Sequence, residues 1–180
     1  MIHKTTRKFI ILFIVFMVTN VFVVTVYSAG NATTAECRNN SSVLDFSKAP
    51  KVKNTANGML KLVNWAREYC SLQKLSIDKK LNKASRRHSR DMANRNYFDH
   101  NALAPAPNGV SPWDRAANAG TSADAENIAA GNKNVRKTFI QWWKSNGHRT
   151  NILGSHTKMG FGYSYSASSQ YRHYNTQMFK

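Results

Sequence analysis

Apolar residues change their spacing from one segment of the chain to the next, and each spacing predicts an element. From Phe9 to Val26 they run almost unbroken, interrupted only by Thr19, Asn20 and Thr25. Lys4, Arg7 and Lys8 precede this run, and Ser28, Ala29 and Gly30 follow it. A basic start, an apolar middle and a small-residue exit are the order of a secretory signal peptide, expected here over residues 1–29. The run also has about the length that spans a bilayer, so an uncleaved anchor is the alternative. From Asn31 to about Asn57 the chain turns polar and rich in Asn, Thr, Ser and Lys. No periodicity predicts an element there, and residues 30–57 are expected as a flexible leader. Asn31, Asn39 and Asn40 each open an N-x-[ST] sequon, which matters only where the host glycosylates secreted proteins.

The remainder, residues 58–180, has the size of one domain with a core. Leu60, Val63, Ala66 and Cys70 recur at helical spacing and predict a helix from about Asn57 to Ser71. Leu81, Ala84, His88 and Met92 share the face of a second helix, from about Asp78 to Asn96, with Asp78 as its cap. Its solvated side carries Lys79, Lys80, Lys83, Arg86, Arg87 and Arg90. The stretch from Asn101 to Gly120 is a Pro/Gly loop leading to a short helix, capped by Ser111 with Pro112 in its first position. Another helix spans about Asn134 to Lys144, with Val135, Phe139, Trp142 and Trp143 as bulk. SNGHRTNIL then reads as a loop. Met159, Phe161, Tyr163 and Tyr165 alternate with glycine and serine, a period of two that makes a strand. A last strand runs from Tyr174 to Phe179. The pattern predicts an α+β fold in which a small antiparallel sheet packs against helices.

Charge and cysteine content narrow the partners. The net charge is +17, and removal of Lys4, Arg7 and Lys8 with the signal peptide leaves +14. No acidic residue follows Glu126, so the final 54 residues are free of carboxylate side chains. Such an excess favours an anionic membrane or cell-wall surface. It does not indicate specific nucleic-acid binding, because no recognition module accompanies it. Cys37 and Cys70 are the two cysteines. In an oxidising compartment they are expected as one disulfide, two free thiols being the alternative.

Three titratable groups stand apart from the surface lysines: His100 at the end of YFDH, Glu126 in AENIA, and His148 in NGHR. All three fall at expected element ends or in loops, where site residues concentrate. Two imidazoles and a carboxylate are a donor set for zinc that keeps a coordination position for water. Spacings of 26 and 22 residues are too long for a local metal motif. His88, among Leu81, Ala84 and Met92, reads instead as a core histidine. The chain has no G-x-S-x-G or H-E-x-x-H motif, so conventional hydrolase chemistry finds no support.

The ordered blocks LVNWAREYCSLQKLSIDKKL, HSRDMANRNYFDH, NGVSPWDRAANAG, AENIAAG, WWKSNGHRTNIL, MGFGYSYS and NTQMF cover about residues 58–179. Together they resemble the CAP superfamily, the SCP-like extracellular domain of cysteine-rich secretory proteins, venom antigens and plant pathogenesis-related proteins. The short bacterial-type branch is the most similar. The resemblance implies a three-layer α-β-α sandwich around a small central antiparallel sheet, with an open cleft lined by two histidines and usually two acidic residues. His100, Glu126 and His148 match three of these positions. Ser145 stands where the second acid usually falls, and Ala125 replaces the glycine that commonly precedes the glutamate. A single carboxylate leaves no pair whose pKa values are pushed apart for acid and base work.

The resulting expectation is a secreted binding or effector protein with a His/Glu cleft, acting at a lipid, sterol, glycan or cell-envelope surface. A metal-assisted hydrolase using His100, Glu126 and His148, and a structural envelope or coat component, are the alternatives.

Overall fold

The computed structural model describes residues 32–180. The signal segment expected over residues 1–29 lies outside the described residues. Among those described, no helix is long and apolar enough to cross a membrane.

The stretch expected as a flexible leader is part of the fold. Thr33 and Glu36 form a reciprocal capping box at the start of helix α1 (Thr34–Asn39). Two short 3-10 turns follow, Ser41–Val43 and Phe46–Lys48. Cys37, Leu44 and Ala49 are buried in the main core. Cys37 is bonded to Cys70, and Trp143 donates its indole N–H to the Ser41 carbonyl at 2.9 Å. A polar composition concealed this segment because so few of its side chains enter the core; one covalent tie and a few apolar contacts hold it.

The remaining elements are α2 (Ala56–Tyr69), β1 (Ser76–Ile77), α3 (Lys79–Arg95), α4 (Pro112–Asn118), β2 (Ala125–Ala130), α5 (Val135–Lys144), α6 (Asn146–Ile152), β3 (Lys158–Tyr165) and β4 (His173–Phe179). The expected caps are in place: Asp78 accepts from the amides of Lys80 and Leu81, and Ser111 caps α4 with Pro112 in its first turn. The strands form one sheet in the order β1-β3-β4-β2. β4 is antiparallel to both neighbours, but β1 is parallel to β3. The sheet is therefore mixed, a departure from the purely antiparallel expectation. β1 leads directly into α3, and such a crossover brings a distant strand back parallel.

Alternation along the strands sorts side chains between two layers. Met159, Phe161 and Phe179 enter the larger core with α2, α5 and α6, against Met59, Leu62, Trp142 and Trp143. Tyr174, Met178 and Ile128 face α3 and α4, against Leu81, Ala84, Met92 and Ala116. The result is the expected α-β-α sandwich.

The α3 layer sits unusually close to the sheet. A Cβ on Gly160 would lie 2.3 Å from the Leu81 carbonyl carbon, and one on Gly162 would lie 2.3 Å from the backbone of Ser85 and Arg86. Ser89 fastens the same contact, donating to Gly162 O at 3.2 Å and Thr176 Oγ1 at 2.9 Å. The alternating glycines of MGFGY are thus the floor on which α3 rests. Gly162→Ala is expected to cost about 2 kcal/mol or more, because backbone and not a flexible side chain stands in the way. Urea unfolding checks this, with Ser164→Ala on the same strand as the comparison.

Candidate functional site

The edge strand β2 organises the site. Glu126 pairs with Met178 across β4 and so faces the α3 and α4 layer, whereas Asn127 pairs with Gln177 and faces α5 and α6. Two consecutive residues therefore reach into opposite layers. The expectation that AENIA and SNGHRTNIL are loops is corrected: Glu126 lies within β2 and His148 within α6. Residues 125–130 lack alternation because an edge strand buried on both faces has none to show. α6 begins at Ser145 without a side-chain cap, so its start carries no sequence signal.

Both oxygens of the Glu126 carboxylate are engaged. His100, in the turn after α3, donates Nδ1–H to Oε1 at 2.8 Å. Arg115 of α4 donates to Oε2 at 2.7 Å. The Glu126 and Arg115 side chains are only 2% and 1% exposed, so this is an internal ion pair. Arg115 also donates to the Val110 carbonyl at 2.7 Å, bracing the long loop. The pairing with Glu126 is not legible in the sequence, because residues 11 apart on different elements leave no periodic trace.

On the other side of β2, amides set the position of His148. Asn127 donates to the His148 carbonyl at 3.2 Å and to Gln177 Oε1 at 3.2 Å. Asn151 donates to Asn127 Oδ1 at 2.9 Å and to Glu126 O at 3.2 Å. Both asparagines are structural. The His148 ring packs near Trp142, and its buried Nδ1 has no hydrogen-bond partner among the described residues. Ser145 is the junction of α5 and α6, its amide bonded to Trp142 O. His88 is buried, as expected for a core residue, and donates Nε2–H to Asp99 O at 3.0 Å.

His100, Trp113, Glu126 and Asn151 line an open cleft of about 340 Å³. Trp113 is 50% exposed and forms its rim. The hydrogen bond to Glu126, opposed by partial burial, raises the His100 pKa above the ordinary imidazole value. Burial lowers that of His148, with the nearby charge of His100 acting the same way. His100 is thus the imidazole that protonates first.

Each oxygen of Glu126, expected as a zinc ligand, already accepts one hydrogen bond, and among the described residues no group of three or more His, Cys, Asp or Glu side chains is arranged to hold a metal ion. The carboxylate supports His100 from behind.

The geometry and the motif order have a counterpart in known proteins. The profile of the cysteine-rich secretory protein (CAP) family matches residues 60–179. The chain belongs to the CAP family. The CAP segment is 39% identical over 113 residues to the protein YkwD of Bacillus subtilis (strain 168), covering 61% of this chain and 42% of that protein. It superposes on an extracellular protein of Bacillus anthracis that contains an SCP domain, with a TM-score of 0.58 and 26% identity over 69% of this chain and 40% of that one. An outer surface protein of Borrelia burgdorferi shares the fold at 18% identity, with a TM-score of 0.55 over 65% of this chain and 84% of that one. The chain spans about two fifths of the length of YkwD and of the anthrax protein. These CAP relatives account for the bacterial character of the motifs.

Two expectations follow for this CAP site. Arg115→Met strands the Glu126 charge in the interior and is expected to cost about 3–5 kcal/mol. Arg115→Met/Glu126→Met removes both charges and should be less destabilised than Arg115→Met alone; urea unfolding of the two variants decides it.

The second concerns acid. Burial, reinforced by Arg115, pushes the His88 imidazole down to about 4. The stability tied to neutral His88 is complete above the unfolded value of about 6.5 and is lost as pH falls through 4, a span of about 3 kcal/mol. His88→Gln keeps the donor to Asp99 O. Between pH 7.5 and 4.5 it should lose about 2–3 kcal/mol less than the wild-type protein in chemical unfolding.

Proposed function

We propose that the protein is a secreted binding or effector protein whose cleft takes an anionic oxygen group at a lipid, glycan or cell-envelope surface. The observation that carries this reading is the chain Arg115–Glu126–His100. Glu126 accepts from His100 Nδ1 at 2.8 Å, which leaves Nε2 as the ring atom for a ligand. The bond to Glu126 raises the His100 pKa and so favours the protonated ring, in which that nitrogen is a charged donor. Charge-assisted hydrogen bonds to oxyanions are the stronger kind. The names of the relatives, extracellular in one case and outer surface in another, and the net charge of +17 support placement at an anionic surface outside the cytosol.

Hydrolysis is less well supported. Ser145 takes the place where a second acid usually stands, and of the two carboxylates that line the cleft Glu126 is held by His100 and Arg115 while Asp124 is largely exposed, an arrangement that does not support divided acid and base roles. A metal-assisted route needs a third donor besides the two imidazoles, and Glu126 is already committed to His100 and Arg115.

The test is titration with a short-chain phosphatidylglycerol below its micelle concentration and with inorganic phosphate, at pH 6.0 and 8.5. Affinity for at least one is expected to fall about tenfold as pH rises through the raised His100 value, the scale of one charged hydrogen bond. His100→Gln should abolish the difference. Zinc in place of the anion behaves oppositely, because its ligands bind as neutral imidazoles and affinity grows with pH. Equal anion binding at both pH values, or in His100→Gln, would refute the reading and favour the cleft as a purely structural brace.

A further inference from the structure

The far end of the sheet carries an uncovered aromatic surface. Tyr163 and Tyr165 of β3 continue the face that begins with Met159 and Phe161, but beyond the reach of the covering helices. They are 38% and 54% exposed. Across the strand pair, Tyr165 lies opposite His173 and Tyr163 opposite Asn175, and alternation puts all four on one face. The His173 ring packs between the two tyrosines, 6.0 Å from Tyr163 at an interplanar angle of 20° and 5.0 Å from Tyr165 at 34°. A 2.8 Å hydrogen bond between the Tyr163 hydroxyl and His173 Nδ1 fixes the arrangement. Tyr174, on the opposite face, is buried.

This surface is separate from the cleft. Met178, opposite Glu126, is five residues from His173 along β4, about 17 Å at strand spacing, and Glu126 faces the other layer.

We infer that Tyr163, Tyr165 and His173 form a stacking platform for an anionic polysaccharide. Flat rings with hydroxyl ends offer an apolar face to the C–H side of a sugar and hydrogen bonds to its edge. Exposed aliphatic side chains such as Leu103 and Val110, which would suit lipid, lie instead on the loop after α3. Charge selects the polymer. Residues 127–180, which supply both platform strands, hold eight Lys or Arg residues and no Asp or Glu. Arg172 adjoins His173 in the hairpin, and the Gly131 amide bonds the His173 carbonyl at 2.8 Å, bringing the turn that carries Lys133 alongside. Aromatic faces combined with a basic surround are how extended polyanions are held elsewhere. The inference rests on the envelope-surface reading above only for the class of partner, and it uses a different face.

The experiment measures binding of the intact protein to polygalacturonate, to its methyl-esterified neutral form, and to vesicles of phosphatidylglycerol and phosphatidylcholine at low and physiological salt. Polygalacturonate is expected to bind, more weakly at higher salt, and to outcompete the neutral polymer. Tyr163→Ala/Tyr165→Ala should lose about tenfold in affinity, while Tyr165→Phe, which keeps the ring, stays within about threefold. Lys133→Glu/Arg172→Glu provides a second route that leaves the rings intact and should also weaken binding. Unchanged binding in the tyrosine double variant, equal binding to the neutral polymer, or binding to vesicles alone would overturn the platform. Polymer binding lost in His100→Ala but kept in the tyrosine variant would place the polymer in the cleft, sinking this inference while sustaining the other.

Discussion

A carboxylate held inside this protein sets the terms for the elements around it. Glu126 is on an edge strand, where an unpaired backbone rim ordinarily faces solvent, yet its side chain is almost fully enclosed. An internal charge is tolerable only when paired and hydrogen-bonded. Arg115 supplies the countercharge from α4 and His100 supplies a donor from the turn after α3. Asn151, from α6, caps the Glu126 carbonyl. Three segments distant in sequence thus converge because one group cannot be left alone. The cleft is the mouth of that convergence.

The position of His100 depends in turn on how α3 seats. With Gly160 and Gly162 beneath it, the helix axis lies nearer the sheet than side chains would permit. Ser89 and Asn82 bond directly to β3 and β4, Asn82 accepting from the Phe161 amide at 2.8 Å. The helix ends at Asn96 in the left-handed conformation, and the turn that follows delivers His100 to Glu126. His88, about two turns before the helix end, ties the same turn down by its bond to Asp99 O. A core histidine and a cleft histidine therefore share one short piece of backbone, and packing at the glycine floor reaches the site through it.

What the sequence made legible follows from where the information resides. Helices α2, α3, α4 and α5 announce themselves by apolar spacing and caps, and strands β3 and β4 by apolar alternation or an aromatic-rich end bounded by a turn. The helix starts were legible to within a residue or two because Asp78, Ser111 and Asn134 each cap with their own side chain. β2 was hidden because both its faces are buried, α6 because it lacks a side-chain cap, and α1 because a disulfide replaces most of the apolar contact a free segment would need. At the site, motif order identified His100, Glu126 and His148. It could not show that Arg115 already occupies half of the carboxylate, which turns a would-be ligand into a support.

That support sets His100, in the cleft, apart from His148 near Trp142. The bond from Glu126 favours the charged form of His100, whose contribution to stability is complete below about pH 6.5 and lost as pH rises through its raised value. Burial favours the neutral form of His148, whose contribution is complete above that pH and lost as pH falls. The two losses lie on opposite sides of that pH, so the pair stabilises the protein most near it and less in either direction. The first proton goes to His100, and its charge discourages a second on His148. Between the two titrations His100 is the cationic donor in the cleft while the His148 ring near Trp142 stays neutral.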